Sequence, residues 1–213
     1  IPAAERYQLM SGIDRWVVQA TLAALAHGAI RLPDDRSCSI NLTAQSLADE
    51  GFLEFVIDCL DHSQIAPGRI CFEISETAVM DRVDQARRFI GVLHGMGCQF
   101  GLDDFGSGLS SFLFLKNLPV DYIKIDGSFV QNVAQDVIDR SMVEAITQIG
   151  RTMGIATIAE RVDSAEVLNQ LAELGVQYAQ GHFIASPQPV EALASLVASA
   201  PEAAMARPGS DVD

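Results

Sequence analysis

The sequence predicts an α/β fold on a parallel sheet, of the TIM-type (β/α) barrel class, with about the first two strands absent from this chain. Two observations predict this class. Short runs rich in β-branched and aromatic residues alternate with helix-length stretches, which is typical of a parallel sheet. Polar and acidic residues recur where those runs end, and active sites of such barrels lie at that rim. The 213 residues suit one domain.

Six strand-like runs follow one another, and a helix-length stretch comes after each. The predicted strands are Ser37–Leu42, Arg69–Ser75, Gln99–Asp103, Val120–Asp126, Ile155–Ala159 and Tyr178–Ile184. Apolar periodicity predicts helices over Asp14–His27, Leu47–His62, Val83–Met96, Ile138–Met153, Ala165–Leu174 and Val190–Val197, and a short helical piece before Pro119. A glycine follows the third, fourth and fifth of these helices, which predicts that they end there.

The strand count is two short of a closed eight-stranded barrel, and the chain opens on a helix. We therefore expect a strand–helix–strand piece ahead of Ile1 in the natural protein. A six-stranded open sheet is the competing interpretation, but it leaves the acidic pattern unexplained. If these residues were the whole polypeptide, two unpaired sheet edges would predict an unstable, inactive protein, or one that pairs with a second chain.

Composition limits the partners. A formal net charge of −14 argues against a nucleic-acid polymer or an anionic membrane as the main partner. A small anionic ligand stays possible because bound metal inverts the local charge. The four cysteines form no CxxC pair, which predicts free thiols and a cytoplasmic location, alone or within a larger membrane-attached protein. Residues 200–213 are rich in Ala, Pro, Gly and Asp, which predicts a flexible C-terminal tail.

Polar side chains recur at the C-terminal ends of the predicted strands, and in a parallel barrel these ends lie on one rim. They are Asn41, Glu73, Glu76, Asp103, Asp104, Lys124, Asp126, Glu160 and Gln180. Carboxylates crowded on one rim persist only when they are protonated, hydrogen-bonded or bound to a cation. Oxygen ligands of this type suit Mg²⁺, Mn²⁺ or Ca²⁺. The set predicts a two-metal site for phosphoryl chemistry, in which a shared water becomes the nucleophile.

Several of these positions also have a purely structural interpretation. Asn41 after a strand is typical of a turn, and Asp103-Asp104 before a Gly-rich loop would fit a helix N-cap. Glu73 and Lys124 lie among apolar neighbours and are harder to explain as solvated surface. Because all of these residues fall at strand ends, the set as a whole favours a functional site.

Seven segments, in order, resemble the EAL domain family of bacterial cyclic di-GMP phosphodiesterases. They span about residues 1–190, and we place the domain at residues 1–199. The most specific part is the DDFGxG run at residues 103–108 followed by KID at residues 124–126. The other segments are Ile1-Pro2-x-Ala4-Glu5, Asn41-Leu42-Thr43, Glu73-Ile74-Ser75-Glu76, Ala159-Glu160-x-Val162 and Gln180-Gly181.

The resemblance implies a site for two Mg²⁺ or Mn²⁺ ions. Asn41, Glu73 and Asp103 resemble the ligands of one ion. Asp103, Asp104 and Glu160 resemble the set around the second ion, with Asp103 bridging. Glu160 resembles equally a general base for the attacking water, and the sequence leaves both roles open.

The resemblance also assigns roles around the metals. Lys124 would contact the water or the scissile phosphate and offset developing charge. Glu76 would anchor the loop after Asp104, which in this family also contributes to dimer contacts. Gln180 and Asp126 are expected to bind substrate or to support neighbouring loops.

The implied reaction is hydrolysis of one phosphodiester bond of cyclic di-GMP to give linear pGpG. The implied protein is a homodimer with GGDEF or sensory domains upstream. Two departures favour an alternative, a catalytically inactive cyclic di-GMP receptor or protein-interaction module. The Glu-Ala-Leu signature lies outside the chain, and Arg161 replaces a usual Gly. A further departure is His182, which stands where Tyr is common. A third hypothesis is a different metal-dependent barrel hydrolase.

Overall fold

Six parallel strands form one sheet in chain order, from β1 at one edge to β6 at the other. A computed structural model describes residues 1–33, 35–108 and 112–190. The strands are β1 Cys38–Leu42, β2 Ile70–Ser75, β3 Gln99–Phe105, β4 Tyr122–Ile125, β5 Ala156–Ala159 and β6 Tyr178–Ala179. This arrangement confirms the predicted α/β class, the number of strands in the described ranges and their parallel pairing.

Helices precede and follow the strands. They are α1 Pro2–Arg6, α2 Met10–Ala26, α3 Ala44–Ala48, α4 Phe52–Ser63, α5 Glu76–Asp81, α6 Val83–Gly95, α7 Phe112–Leu115, α8 Gly127–Val130, α9 Val137–Met153 and α10 Ala165–Leu174. A short 3₁₀ turn, Pro67–Arg69, precedes β2. Within the described ranges, no helix combines the length and the apolar character that a membrane crossing requires.

Some element boundaries differ from the prediction. The single helix expected over 47–62 is two helices, α3 and α4, because the chain breaks at Asp49, whose carboxylate accepts hydrogen bonds from Ser11 and Arg15 of α2. The short helices α1, α5 and α8 were not predicted. The last strand stops at Ala179, since residues 181–184 turn. The helix expected over 190–197 and the tail expected over 200–213 lie outside the described residues, apart from Val190.

The core lies between the sheet and the helices. Successive crossovers run in one direction, and right-handed crossovers of that kind place their helices on the same face of the sheet. On that face Phe72 of β2 and Phe100 of β3 meet Phe89 of α6, with ring centroids 6.2 Å from Phe89 in both cases. Phe52 of α4 stacks on Phe89 at 6.0 Å. The opposite face, which corresponds to a barrel interior, therefore receives the alternate side chains of each strand.

A buried aspartate fixes the start of the sheet. Asp14 of α2 accepts hydrogen bonds from the Thr43 amide and the Thr43 hydroxyl, both at 2.8 Å, and from the Ser46 hydroxyl at 2.6 Å. Thr43 directly follows β1 and is the N-cap residue of α3. Asp14 therefore joins α2 to the end of β1, where Asn41 lies.

Candidate metal centre

A bulge at the end of β3 brings two consecutive aspartates to one rim. In a regular strand Asp103 and Asp104 would point to opposite faces. The register against β4 shifts between Leu102 and Phe105, so β3 carries one extra residue there. Asp104 has φ of 52°, in the left-handed region. The result is that both carboxylates lie beside Glu160, with one oxygen from each of the three within 4.8 Å of the others.

Lys124 lies among carboxylates from three neighbouring strands or strand ends. Its Nζ is 2.6 Å from Glu160 Oε1, 3.0 Å from Asp103 Oδ1 and 3.1 Å from Glu73 Oε2. The Lys124 side chain is only 4% exposed, so water screens these contacts weakly. We call Glu73, Asp103, Asp104 and Glu160 the carboxylate cluster. A single ammonium therefore contacts three of its four members.

Burial and neighbouring charges shift the pKa values of several groups in and around the carboxylate cluster. The pKa of Glu160 is raised to about 7, chiefly by burial and also by nearby Asp103, although Lys124 lowers it. Burial and the charges of Asp103 and Asp126 raise the pKa of Asp104. Burial alone would lower the pKa of Lys124, but Glu160, Glu73 and Asp103 together raise it above its ordinary value.

The donor set fits a divalent cation. One carboxylate oxygen from each of Asp103, Asp104 and Glu160 lies within 4.8 Å of the others, and such oxygens are the hard ligands that Mg²⁺, Mn²⁺ and Ca²⁺ prefer. Three of the four cluster carboxylates share a single ammonium, so an added cation would offset negative charge that Lys124 alone does not balance.

Asn41 lies beside Glu73 but outside the hydrogen-bonded cluster. The two residues are register partners in the β1–β2 pair, and Asn41 is exposed. Gln180 follows β6 and is also exposed, while its backbone bonds Ala159 and Val162. Gly181 makes that approach possible, because a Cβ at this position would overlap the backbone of Val162.

Two further acids support loops at the rim. Glu76 is the first residue of α5, and its buried side chain accepts a hydrogen bond from the Gly106 amide at 2.8 Å. This bond ties the loop after Asp104 to the end of β2. Asp126 is the N-cap of α8 and accepts a hydrogen bond from the Ser128 amide at 2.7 Å.

Arg161, which the sequence marked as unusual, has a left-handed backbone with φ of 52°. Its side chain crosses Gly127, where any Cβ would overlap it. Its positive charge lowers the pKa of Asp104. Arg161 thus lies beside the cluster instead of pointing away from it. His182 is exposed, in the turn after β6.

Tyr122 is a site residue that the sequence reasoning missed. Its hydroxyl donates a hydrogen bond to Glu73 Oε1 at 2.7 Å. The available signal was strand alternation, since Tyr122, Lys124 and Asp126 occupy positions i, i+2 and i+4 and so share one face of the strand.

A family comparison covers most of the chain. The model of the EAL domain matches residues 1–187. The cyclic di-GMP phosphodiesterase PdeB of Shewanella oneidensis is 40% identical over 190 residues, which are 89% of this chain and 22% of that protein. The cyclic di-GMP phosphodiesterase PdeF of Escherichia coli is 35% identical over 190 residues, which are 89% of this chain and 25% of that protein. The chain thus spans about a quarter of the length of these relatives.

Solved structures agree with the family match. A PaMucR phosphodiesterase in complex with c-di-GMP is 31% identical, with a TM-score of 0.84 over 90% of this chain and 78% of that one. The FimX EAL domain from Pseudomonas aeruginosa, bound to c-di-GMP, is 31% identical, with a TM-score of 0.79 over 87% of this chain and 74% of that one. Together with the strand order and the carboxylate cluster, these matches show that the chain belongs to the EAL domain family.

Proposed function

We propose that the chain hydrolyses cyclic di-GMP to linear pGpG as a metal-dependent phosphodiesterase. The observation that carries the proposal is the carboxylate cluster around Lys124, which provides both cation ligands and a fixed positive charge at one rim. The names of the relatives PdeB and PdeF support the same substrate.

The cluster offers ligands for two divalent ions, Mg²⁺ or Mn²⁺. We assign Asp103, Asp104 and Glu160 to one ion, because their oxygens converge. Asn41, Glu73 and Asp103 would hold the other ion. We assign Glu160 the role of a metal ligand and not that of a general base, because its oxygen lies close to those of Asp103 and Asp104. When bound, such ions neutralise phosphate charge and lower the pKa of a shared water.

The chain's own residues orient the reaction. Water adds to phosphorus, the P–O3′ bond breaks, and pGpG keeps the 5′-phosphate. The ammonium of Lys124 is held by three carboxylates and so needs little reorganisation to stabilise charge that develops on the phosphate. Glu76 holds the loop that follows Asp104 through the Gly106 amide. Asp126 stabilises the turn after β4. We assign Gln180 a contact with the nucleotide, because it follows β6 and is exposed.

The setting of the activity is part of the proposal. The four cysteines are free, which supports a reducing compartment such as the bacterial cytoplasm. The relatives are about four times as long as the match, and MucR of Pseudomonas aeruginosa is named as a bifunctional diguanylate cyclase and phosphodiesterase. We therefore propose a homodimer that works beside further GGDEF or sensory domains.

Chromatography of reaction products tests the function. The full gene product that contains this chain is incubated with cyclic di-GMP and Mg²⁺ or Mn²⁺, and pGpG is quantified. We expect pGpG to form, to disappear with a chelator and to fall at least about 100-fold in Asp103→Asn. Glu173→Gln, on the exposed face of α10, is the matched control and should retain activity. Binding of cyclic di-GMP without pGpG would indicate the receptor alternative, and absence of both would indicate a different hydrolase.

A further inference from the structure

Glu73 has a separate hydrogen-bond donor for each of its oxygens. The Tyr122 hydroxyl donates to Oε1 at 2.7 Å, and the Lys124 ammonium donates to Oε2 at 3.1 Å. Tyr122 opens β4 and shares a strand face with Lys124. The two donors differ in their other partners, because Lys124 also contacts Asp103 and Glu160, whereas Glu73 is the carboxylate to which the Tyr122 hydroxyl donates.

The Tyr122 hydroxyl lies in a chain of hydrogen bonds. It donates to Glu73 Oε1, because a carboxylate oxygen accepts. Cys71 Sγ donates to the phenol oxygen at 3.2 Å, and Ser39 Oγ lies 3.1 Å from the same oxygen.

The ring of Tyr122 is held as firmly as its hydroxyl. It lies against the backbone of Gly101 in β3, where a Cβ would overlap the ring. Contacts from Ser39, Cys71 and Gly101 thus come from three strands, β1, β2 and β3. This support fixes the phenol oxygen relative to Glu73.

We propose that Tyr122 is a positioning residue that holds Glu73 as a one-oxygen ligand and so favours Mg²⁺ over Ca²⁺ at this site. The inference rests on the metal centre of the proposed function. Lys124 keeps Asp103 and Glu160 as partners when it gives up Oε2, whereas the phenol stays on Oε1, so Oε2 is the oxygen of Glu73 that a cation can take. Ca²⁺ readily takes both oxygens of a carboxylate, whereas Mg²⁺ prefers octahedral geometry with fewer protein ligands. Loss of the phenol hydroxyl frees Oε1 and removes that restriction.

Calorimetric titration without nucleotide tests the proposal. Mg²⁺ and Ca²⁺ are titrated separately into the full gene product that contains this chain, as wild type, Tyr122→Phe and Tyr178→Phe. Phenylalanine at position 122 keeps the ring on Gly101 and removes only the hydroxyl. We expect Tyr122→Phe to weaken Mg²⁺ binding about tenfold and Ca²⁺ binding clearly less, so that the Mg²⁺-to-Ca²⁺ affinity ratio falls. Tyr178, on the exposed end of β6, is the matched control and should leave both affinities unchanged.

A double-mutant cycle supplies the second measurement. In a Glu73→Gln background, Tyr122→Phe should cause no further change in the ratio, because the carboxylate on which the phenol acts is gone. Thermal unfolding of every variant checks the fold. Unchanged Mg²⁺ affinity in Tyr122→Phe, or an equal loss for both ions, overturns the proposal. Absence of metal binding by the wild type overturns both the role of Tyr122 and the metal centre. If the Mg²⁺-to-Ca²⁺ ratio responds to Tyr122→Phe as expected but no pGpG forms, only the proposed hydrolysis is overturned.

Discussion

Replacement of Lys124 by Met removes the ammonium that contacts Glu73, Asp103 and Glu160. Met has a similar length and preserves the packing of the stem, so the change is mainly one of charge. Removing one partner of a buried ion pair destabilises a protein by about 3–5 kcal/mol, because the remaining charges stay buried and unpaired. The carboxylate side chains are 9–19% exposed, so screening by water does not offset this loss. We expect a loss of about 4 kcal/mol in the free energy of unfolding.

Urea unfolding at pH 8 measures this effect. At that pH Glu160, with a pKa of about 7, is ionised. In a chelating buffer Lys124→Met should unfold at much lower urea than the wild type. Mg²⁺ at 100 times its Kd adds about 3 kcal/mol to either form. At one Mg²⁺ concentration the gap should narrow, because the variant has lost an ammonium among its carboxylates and binds the ion more tightly.

The chain provides a matched control, since its only other lysine is Lys116. Lys116 is exposed, and its replacement by Met should change the free energy of unfolding by less than about 0.5 kcal/mol. Equal stability of Lys124→Met and the wild type in chelator would refute the electrostatic reasoning. Mg²⁺ that stabilises neither form against urea would refute the assignment of a cation to the cluster.

Three further predictions concern positions in or near the rim. Asp14→Ala should lower the free energy of unfolding in urea by about 3 kcal/mol, because Thr43 and the buried Ser46 hydroxyl lose their acceptor. Asp14→Asn, which keeps one acceptor oxygen, should lower it less. Arg161→Gly should raise stability by about 1 kcal/mol in the same assay, since glycine adopts a φ of 52° without strain, and a loss of stability would contradict this reasoning. Mg²⁺ affinity should rise about tenfold per pH unit up to about pH 7 and then level off. The raised pKa of Glu160 keeps its carboxyl protonated below that pH, so the ion must displace the proton. A flat calorimetric profile from pH 5.5 to 8 would count against this prediction.

The strand ends were predictable because local signals agree there. Short β-rich runs, helices ended by glycine and polar residues after each run all point to parallel strands with their carboxyl ends on one rim. Glu73, Asp103, Lys124 and Glu160 could therefore be placed together before any coordinates. The roles given to these residues stay predictions, since neither the fold nor the matches measure metal binding or turnover.

Other features depend on contacts between distant segments. The break between α3 and α4 follows from the bonds that Asp49 forms with Ser11 and Arg15, more than 30 residues away. The short strand β6 reflects the turn around Gly181, which local β-propensity does not reveal. In each case tertiary contacts override a local preference.

Periodicity and spacing are local properties of the chain, and they were enough to predict the fold class, the rim and the charged residues there. How those residues meet depends on the tertiary structure. The bulge at Asp104 turns two consecutive aspartates to one face, and Lys124 is shared among three carboxylates. It also decided that the phenol of Tyr122 holds Glu73, from 49 positions along the chain. Such contacts depend on register and backbone angles across separate strands, and these are set only when the strands pair and pack.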